Sequence, residues 1–291
     1  MMMSDMKAAW ILGILFIALI FLVLKRMQYG SSFPGESAEG RSGEWAVSQT
    51  TGNQEIQADF VDVYKNHAGI MGVLADGIGK ENTGKLCAQM AADALLDGFE
   101  PYHTVSNPPY LFRTAFLEAN SRIQKTIGNR RGGACLGAVY TDGAMLHYGL
   151  AGNIRIALFR RDELIPLSKG QTMDVLAVNA YEEGRLTKKE TIWSLEETRI
   201  WNYLGKDGFR EIELCEQPVR LKAGDVIFLA SCGIFEELSW AEIEDVLTRE
   251  MTLQEKADCL VMAADQKPGQ DKDNGSVLLL KAEVLNEKDQ F

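Results

Sequence analysis

The sequence predicts an α+β fold in which two antiparallel β-sheets pack face to face and pairs of helices flank them. Its strand-like runs cluster in hairpins and its helix-like runs come in separate pairs, whereas a doubly wound parallel sheet requires the two to alternate. Apolar runs predict strands at 56–64, 69–75, 135–140, 145–150, 154–159, 210–214, 226–229 and 276–281. Apolar residues at helical spacing predict helices at 84–96, 110–127, 239–249 and 253–264.

Short turns justify the hairpins. Residues 65–68 join the first two strands, residues 141–143 contain an Asp-Gly pair, and residues 152–153 are Gly-Asn. These pairs favour the tight turns that connect antiparallel strands. The prolines at 108–109 suit the first turn of the second helix, because their missing amide hydrogens have no helical partner there. The segment 172–201 is predicted to be helix and loop.

Composition narrows the function classes. The formal net charge is −11 at pH 7, which argues against nucleic acid as a partner. The chain is long enough for one large domain, and two small domains also satisfy its length. Its cysteines are odd in number and scattered, so we expect no disulfides and a reducing compartment. They are Cys87, Cys135, Cys215, Cys232 and Cys259.

The N-terminal residues 1–27 are predicted to be a membrane anchor. Residues 8–24 carry no charge and would form a helix of about 25 Å, close to the thickness of a bilayer core. A secretory signal is the alternative, although its apolar region is usually shorter and no small-residue cleavage site follows. Lys25 and Arg26 follow the span, which predicts a single-pass membrane protein whose large domain is cytoplasmic.

Residues 28–53 are rich in Gly, Ser, Glu and Thr and are predicted to be a flexible linker. The folded domain is then predicted to occupy 54–291.

Four glycine-flanked turns carry the functional information. They occupy 74–79, 149–155, 229–233 and 271–275, and each adjoins an apolar run. Turns at strand ends can gather carboxylates around hard cations. Their order and spacing, from about 54 to 281, resemble the PP2C-like (PPM) metal-dependent protein serine/threonine phosphatases. The resemblance implies the same sandwich of two sheets and a site for two Mn or Mg ions.

The resemblance assigns four residual metal positions. Asp76 matches the bridging carboxylate of the family, and the carbonyl of Gly77 matches the oxygen beside it. Asp59 matches the acid of the first motif, and Asp273 matches the C-terminal metal ligand. These ligands would hold Mn or Mg, as one weakly bound ion or none, because other positions have changed.

Four positions depart from the family pattern. Gln54 replaces a phosphate-binding arginine, and an amide lacks the charged fork that holds a phosphate. Cys232 and Asn153 replace two further acids, and Ala58 stands where an acid or amide is usual. Lys80 lies where the family often has Gly and would supply part of the missing positive charge as a phosphate-binding residue; a solvated lysine is the simpler interpretation.

Three functions are compatible with these residues. The first is a membrane-anchored pseudophosphatase, or weakly active enzyme, that binds a phosphoprotein or kinase in signalling. The second is an active Mn/Mg-dependent protein serine/threonine phosphatase that acts near the membrane. The third is a structural subunit of a membrane assembly. The sequence favours the first, because the losses concentrate on the metal- and phosphate-binding face, and it identifies no confident catalytic residue.

Overall fold

A computed structural model of the chain describes residues 44–80, 82–195 and 199–282. It contains two β-sheets, and within each sheet every pair of neighbouring strands is antiparallel. The first sheet has the strand order β1 (Trp45–Thr50), β11 (Gly275–Lys281), β10 (Val226–Ala230), β6 (Arg155–Arg160) and β7 (Glu163–Pro166). The second has the order β2 (Phe60–Asn66), β3 (Gly69–Gly79), β4 (Gly132–Thr141), β5 (Met145–Ala151) and β8 (Glu213–Leu214), and β9 (Val219–Arg220) also pairs with β5.

Seven helices are described. They are α1 (Asn82–Phe99), α2 (Pro108–Ile127), α3 (Met173–Glu182), α4 (Lys188–Ser194), α5 (Cys232–Phe235), α6 (Trp240–Thr248) and α7 (Leu253–Gln266). The buried faces of α1 and α2 pack on the second sheet, and those of α6 and α7 pack on the first. Capping boxes begin α4, α6 and α7, in which a Thr or Ser side chain and a Glu three residues later satisfy free backbone amides.

The central core lies between the sheets. Leu74 of β3, Ile156 of β6 and Leu278 of β11 are fully or almost fully buried there. The sheets approach closely at Gly72, where a Cβ atom would lie 2.8 Å from a methyl of Leu280. Burial on both faces explains why the central strands read as continuous apolar runs. The predicted α+β class, the two antiparallel sheets and the flanking helices are confirmed.

The structure corrects one boundary. Residues 45–50 form β1, although the sequence predicted a linker over 28–53. Trp45 and Val47 turn towards the core between the sheets, and Ala46 turns towards the helices on the other face. This alternation is that of a strand, and it allows β1 to pair with β11 from Trp45–Leu280 to Thr50–Gly275. The fold therefore begins by Trp45 and not at Gln54.

Smaller differences concern short strands. The strand predicted at 210–214 covers only 213–214, and the strand predicted at 56–64 begins at residue 60. The strands β7 and β9 were not predicted. All five cysteines are free thiols. Within 44–80, 82–195 and 199–282 no helix combines the length and apolar character needed to cross a bilayer. The predicted anchor at 8–24 and the linker up to residue 43 lie outside the described residues.

Candidate functional site

The candidate site lies where the ends of three strands meet. Asp76 comes from the end of β3 in the second sheet. Cys232 follows β10, and Asp273 precedes β11, both in the first sheet. Because β10 and β11 are antiparallel neighbours paired at Ala230 and Val277, the end of one and the start of the other lie side by side. The two sheets thus bring the three side chains to one cleft.

Cys232 lies between two carboxylates. Its Sγ atom is 3.3 Å from Oδ2 of Asp76 and 3.6 Å from Oδ2 of Asp273. A thiol has one hydrogen to donate, so it can satisfy only one of these oxygens at a time. Burial raises the pKa of the Cys232 thiol, and the charges of Asp76 and Asp273 raise it further. The neutral thiol is therefore the favoured form.

Two acids of the cleft, Asp76 and Glu236, have raised pKa values. Burial raises the pKa of Asp76 to about 6, the charge of Asp273 adds to this, and the hydrogen bond from Cys232 opposes it. Glu236, in the turn after α5, has its pKa raised by burial and by Asp273, and Arg155 opposes that shift. The cleft therefore holds several acids whose negative charges repel one another.

Glycines allow this close approach. A Cβ atom at Gly77 would lie 2.4 Å from the backbone of Gly84 and 2.7 Å from the carbonyl of Ala58, so the Asp76 turn packs directly against the start of α1. A Cβ atom at Gly233 would lie 2.3 Å from the carbonyl oxygen of Asn274. Both contacts leave no room for a side chain, which fixes the two turns relative to their neighbours.

Asp59 is buried next to the site, with 5% of its surface exposed. Its Oδ2 accepts hydrogen bonds from the hydroxyls of Ser231 and Ser276, each at 2.7 Å. Its Oδ1 is buried without a hydrogen-bond partner in the described part of the chain. Burial raises the pKa of Asp59 and the charge of Asp76 adds to this. The carboxyl thus connects the segment before β2 to the turns of β10 and β11.

The other predicted positions do not contact the thiol of Cys232 in the described structure. Gln54 is exposed and its Nε2 donates to the carbonyl of Lys272 at 3.1 Å. Ala58 donates its backbone N–H to Oδ1 of Asn274 at 2.7 Å. Asn153 is 5% exposed and its Oδ1 has no hydrogen-bond partner among the described residues. Lys80 is exposed beyond the end of β3.

Sequence reasoning missed four residues at the site. Ser231 and Ser276 bind Asp59, and Glu236 adds negative charge. The Arg155 guanidinium lies over the Phe235 ring at 4.8 Å and donates to the carbonyl of Lys169. Two signals were present in the sequence: Ser276 is a polar residue inside an otherwise apolar strand, and Arg155 ends one of the four glycine-flanked turns.

The donor set does not fit a pair of divalent ions. Among the residues that the structure describes, no three or more His, Cys, Asp or Glu side chains are arranged to hold a metal. Mg and Mn favour oxygen ligands, and a cysteine ligates metals as the thiolate. Here Asp76 and Asp273 supply carboxylate oxygens, whereas a neutral thiol occupies the space between them.

Comparisons with known proteins find bacterial serine/threonine phosphatases. No family model matches the chain. The protein phosphatase PhpP of Streptococcus pneumoniae is 27% identical over 237 residues, covering 79% of this chain and 92% of that protein. The serine/threonine phosphatase stp of Listeria innocua is 23% identical over 231 residues, covering 73% of this chain and 84% of that protein.

Solved structures of such phosphatases share the fold of this chain. The serine/threonine phosphatase of S. agalactiae superposes with a TM-score of 0.72 at 24% identity, over 82% of this chain and 99% of that one. The catalytic domain of PstP in complex with two manganese ions superposes with a TM-score of 0.66 at 23% identity, over 82% of this chain and 98% of that one. The chain has the fold of a metal-dependent serine/threonine phosphatase. Its relatives and structural neighbours are phosphatases of the PP2C-like (PPM) type.

Proposed function

We propose that this protein is a pseudophosphatase, or at most a weakly active phosphatase, which binds or regulates phosphoproteins or a kinase at a membrane. The observation that carries the proposal is the position of Cys232, whose sulfur lies against the carboxylates of both Asp76 and Asp273. In the family pattern that position is an acid. A sulfur at this position replaces one of the negatively charged oxygen ligands that a pair of divalent cations requires.

The phosphate side of the cleft is weakened as well. Gln54 stands where the family has an arginine, and its amide is already bonded to the carbonyl of Lys272. An amide offers neither the charge nor the bidentate fork of a guanidinium. Changes in groups that only support metal ligands already cost about 10- to 100-fold in affinity or activity. The loss of a ligand together with the phosphate clamp is expected to cost more.

The membrane location is proposed from the sequence. The uncharged run at 8–24, followed by Lys25 and Arg26, suits a single-pass anchor with the phosphatase-like domain in the cytoplasm. The residues up to 43 would then tether the fold that begins by Trp45. A tethered domain meets phosphoproteins of the same membrane at a raised effective concentration.

An active Mn- or Mg-dependent phosphatase is the second candidate. Asp59, Asp76 and Asp273 are retained, and the relatives compared above are named as phosphatases. In that case one ion would be held by Asp76 and Asp273, and the second site would be weak. Both candidates share the same cleft and the same class of phosphorylated ligand, so they differ in turnover and metal affinity.

A metal-dependent assay separates the two. The full chain is titrated with MnCl₂ and assayed on a phosphothreonine peptide, with calorimetry of Mn binding in parallel and PhpP as the positive control. We expect weak Mn binding and turnover at least 100-fold below that of PhpP, on the order set by losing more than one supporting group. Turnover comparable with PhpP would overturn the pseudophosphatase proposal and establish the second candidate.

A further inference from the structure

A basic pocket of about 1200 Å³ opens beside the candidate site. We use "basic pocket" for the space lined by the cationic residues Lys80, Arg130, Arg131 and Lys206. Asp207 is the one acid among its described lining residues. Four cations around one pocket contrast with the whole chain, whose formal net charge is −11. Such a local reversal of sign attracts anions.

Two of these cations have structural uses. Arg130 donates to the carbonyls of Thr126 and Ile127, which stabilises the C-terminal end of α2. The Nζ of Lys206 donates to the carbonyl of Trp201. Neither contact neutralises the charge, because a carbonyl is not an anion. In the described part of the chain, neither residue forms an ion pair.

Lys80 and Arg131 have no such use. Both side chains are exposed, and within 44–80, 82–195 and 199–282 neither has a hydrogen bond or ion pair to another residue. They project from different elements, since Lys80 follows β3 and Arg131 precedes β4. Because Gly79 and Gly132 are paired at the adjoining ends of these strands, the two cations lie at the same edge of the sheet.

The pocket has a floor of glycine backbone. Gly79, Gly132 and Gly205 all line it. A Cβ atom at Gly132 would lie 2.6 Å from a methyl of Thr83, and one at Gly205 would lie 3.1 Å from the carbonyl of Gly132. These contacts show that the glycines pack tightly against the fold, so backbone rather than side chains lines this part of the pocket.

The pocket and the cleft are neighbours along β3. Gly79 lies three residues beyond Asp76 on β3, which corresponds to about 10 Å along a strand. A peptide of a few residues therefore spans both the basic pocket and the cleft. The strand end links a region rich in carboxylates to a region rich in cations.

We propose that the basic pocket binds a phosphorylated segment of a protein partner, with Arg131 and Lys80 contacting the phosphate dianion. This inference rests on the proposed function, because it assumes that the ligand of the fold is a phosphoprotein. An arginine fork can bind two phosphate oxygens at once, and a lysine adds a second charge-assisted hydrogen bond. The pocket provides the phosphate contact that Gln54 no longer offers at the cleft.

Binding is tested on the ¹⁵N-labelled full chain in EDTA, so that neither metal binding nor turnover contributes. Four probes are titrated: an Ala/Gly peptide with a central phosphoserine, the same peptide with serine, inorganic phosphate, and a single-stranded oligonucleotide. We expect the phosphopeptide to shift the amide signals of Gly79, Gly132 and Gly205 in a salt-dependent manner, and the serine peptide to leave them unchanged. Charge reversal by Arg131→Glu with Lys80→Glu is expected to weaken binding at least 10-fold.

Controls make the outcome decisive. Arg113→Glu reverses one charge at an exposed position of α2 outside the pocket and should alter affinity less than 3-fold. Arg131→Gln with Lys80→Gln replaces the reversal variant if that protein does not give a folded spectrum. Equal binding of inorganic phosphate and phosphopeptide, equal binding of a single-stranded oligonucleotide, or an unchanged affinity in the variants would overturn the proposal. These results are independent of the Mn assay, which tests the proposed function.

Discussion

The hydroxyl of Ser231 donates a hydrogen bond to Oδ2 of Asp59 at 2.7 Å, across 172 positions of the sequence. The same Oγ accepts the backbone N–H of Ser276 at 2.8 Å, and the Ser276 hydroxyl also donates to Asp59. The turn that carries Cys232 is thereby fixed to the start of β11 and to the segment before β2. The geometry of the cleft depends on this buried network.

We expect Ser276→Ala to lower the free energy of unfolding by about 1–3 kcal/mol, because it leaves a buried carboxyl with one hydroxyl partner fewer. Urea denaturation of the full chain measures the change. Ser194→Ala is the matched control, since its hydroxyl bonds the carbonyl of Glu190 at an exposed position, and it should stay within about 0.5 kcal/mol. Equal effects of the two changes would show that the network contributes little to stability.

Restoration of the lost groups should recover metal binding. Cys232→Asp places a carboxylate between Asp76 and Asp273, and Gln54→Arg adds the missing cation. We expect the double variant to bind Mn at least 10-fold more tightly than the original chain, as measured by calorimetry, with a parallel gain in phosphatase activity.

Cys232→Ser is the control for this experiment, because it replaces the thiol by a group of similar size without adding charge. Its Mn affinity should stay close to that of the original chain. If the double variant gained nothing, the cleft would differ from the family in more than the named residues, and the interpretation of Cys232 as the missing ligand would be wrong.

The corrected boundary predicts different behaviour for two shortened chains. A chain from Gly43 to Phe291 keeps β1, whereas a chain from Gln54 to Phe291 loses it. The second chain exposes the edge of β11 over all six paired positions and removes Trp45 and Val47 from the core. We therefore expect a lower thermal midpoint and a greater tendency to aggregate in the second chain only. Calorimetric melts and light scattering compare the two, and indistinguishable results would contradict the role given to β1.

His147 predicts a loss of stability at mildly acidic pH. Burial lowers its pKa below the usual value of about 6.5. The folded state therefore binds fewer protons than the unfolded state between the two pKa values, so the free energy of unfolding falls as the pH drops below about 6.5. The ring stacks against Tyr140 at 6.0 Å and has Sγ of Cys215 at 3.9 Å from Nδ1.

The variant His147→Gln removes the titrating group, so its stability should fall less between pH 7 and pH 5 than that of the original chain. Urea denaturation at a series of pH values measures this. His103→Gln is the control at an exposed position and should keep the original dependence. Identical pH profiles for the original chain and His147→Gln would refute the prediction.

The sequence was sufficient for the fold class and for the main elements, because apolar periodicity and turn residues are local signals. It failed at β1, where a six-residue strand lies next to a polar stretch rich in Gly and Ser and its pairing partner is more than 220 residues away. An edge strand of that length carries too few apolar positions to stand out.

The site was predicted only in part. The resemblance placed Asp76, Cys232 and Asp273 together, and the structure brings them into contact. The partners of Asp59 were not predictable, because two serines 172 and 217 positions away leave no local pattern. The basic pocket was not predictable for the same reason. Lys80, Arg131 and Lys206 come from three separate parts of the chain, and only the folded structure brings them to one pocket.

The edge position of β1 has a mechanical consequence. Any tension that enters the fold at residue 44 acts first on the ladder between β1 and β11, and among the residues that the structure describes β1 has a hydrogen-bonded neighbour on one side only. The following strand, β11, starts beside Asp273. A pull strong enough to detach β1 would therefore expose the edge of the strand that positions one wall of the cleft, and six residue pairs oppose that detachment.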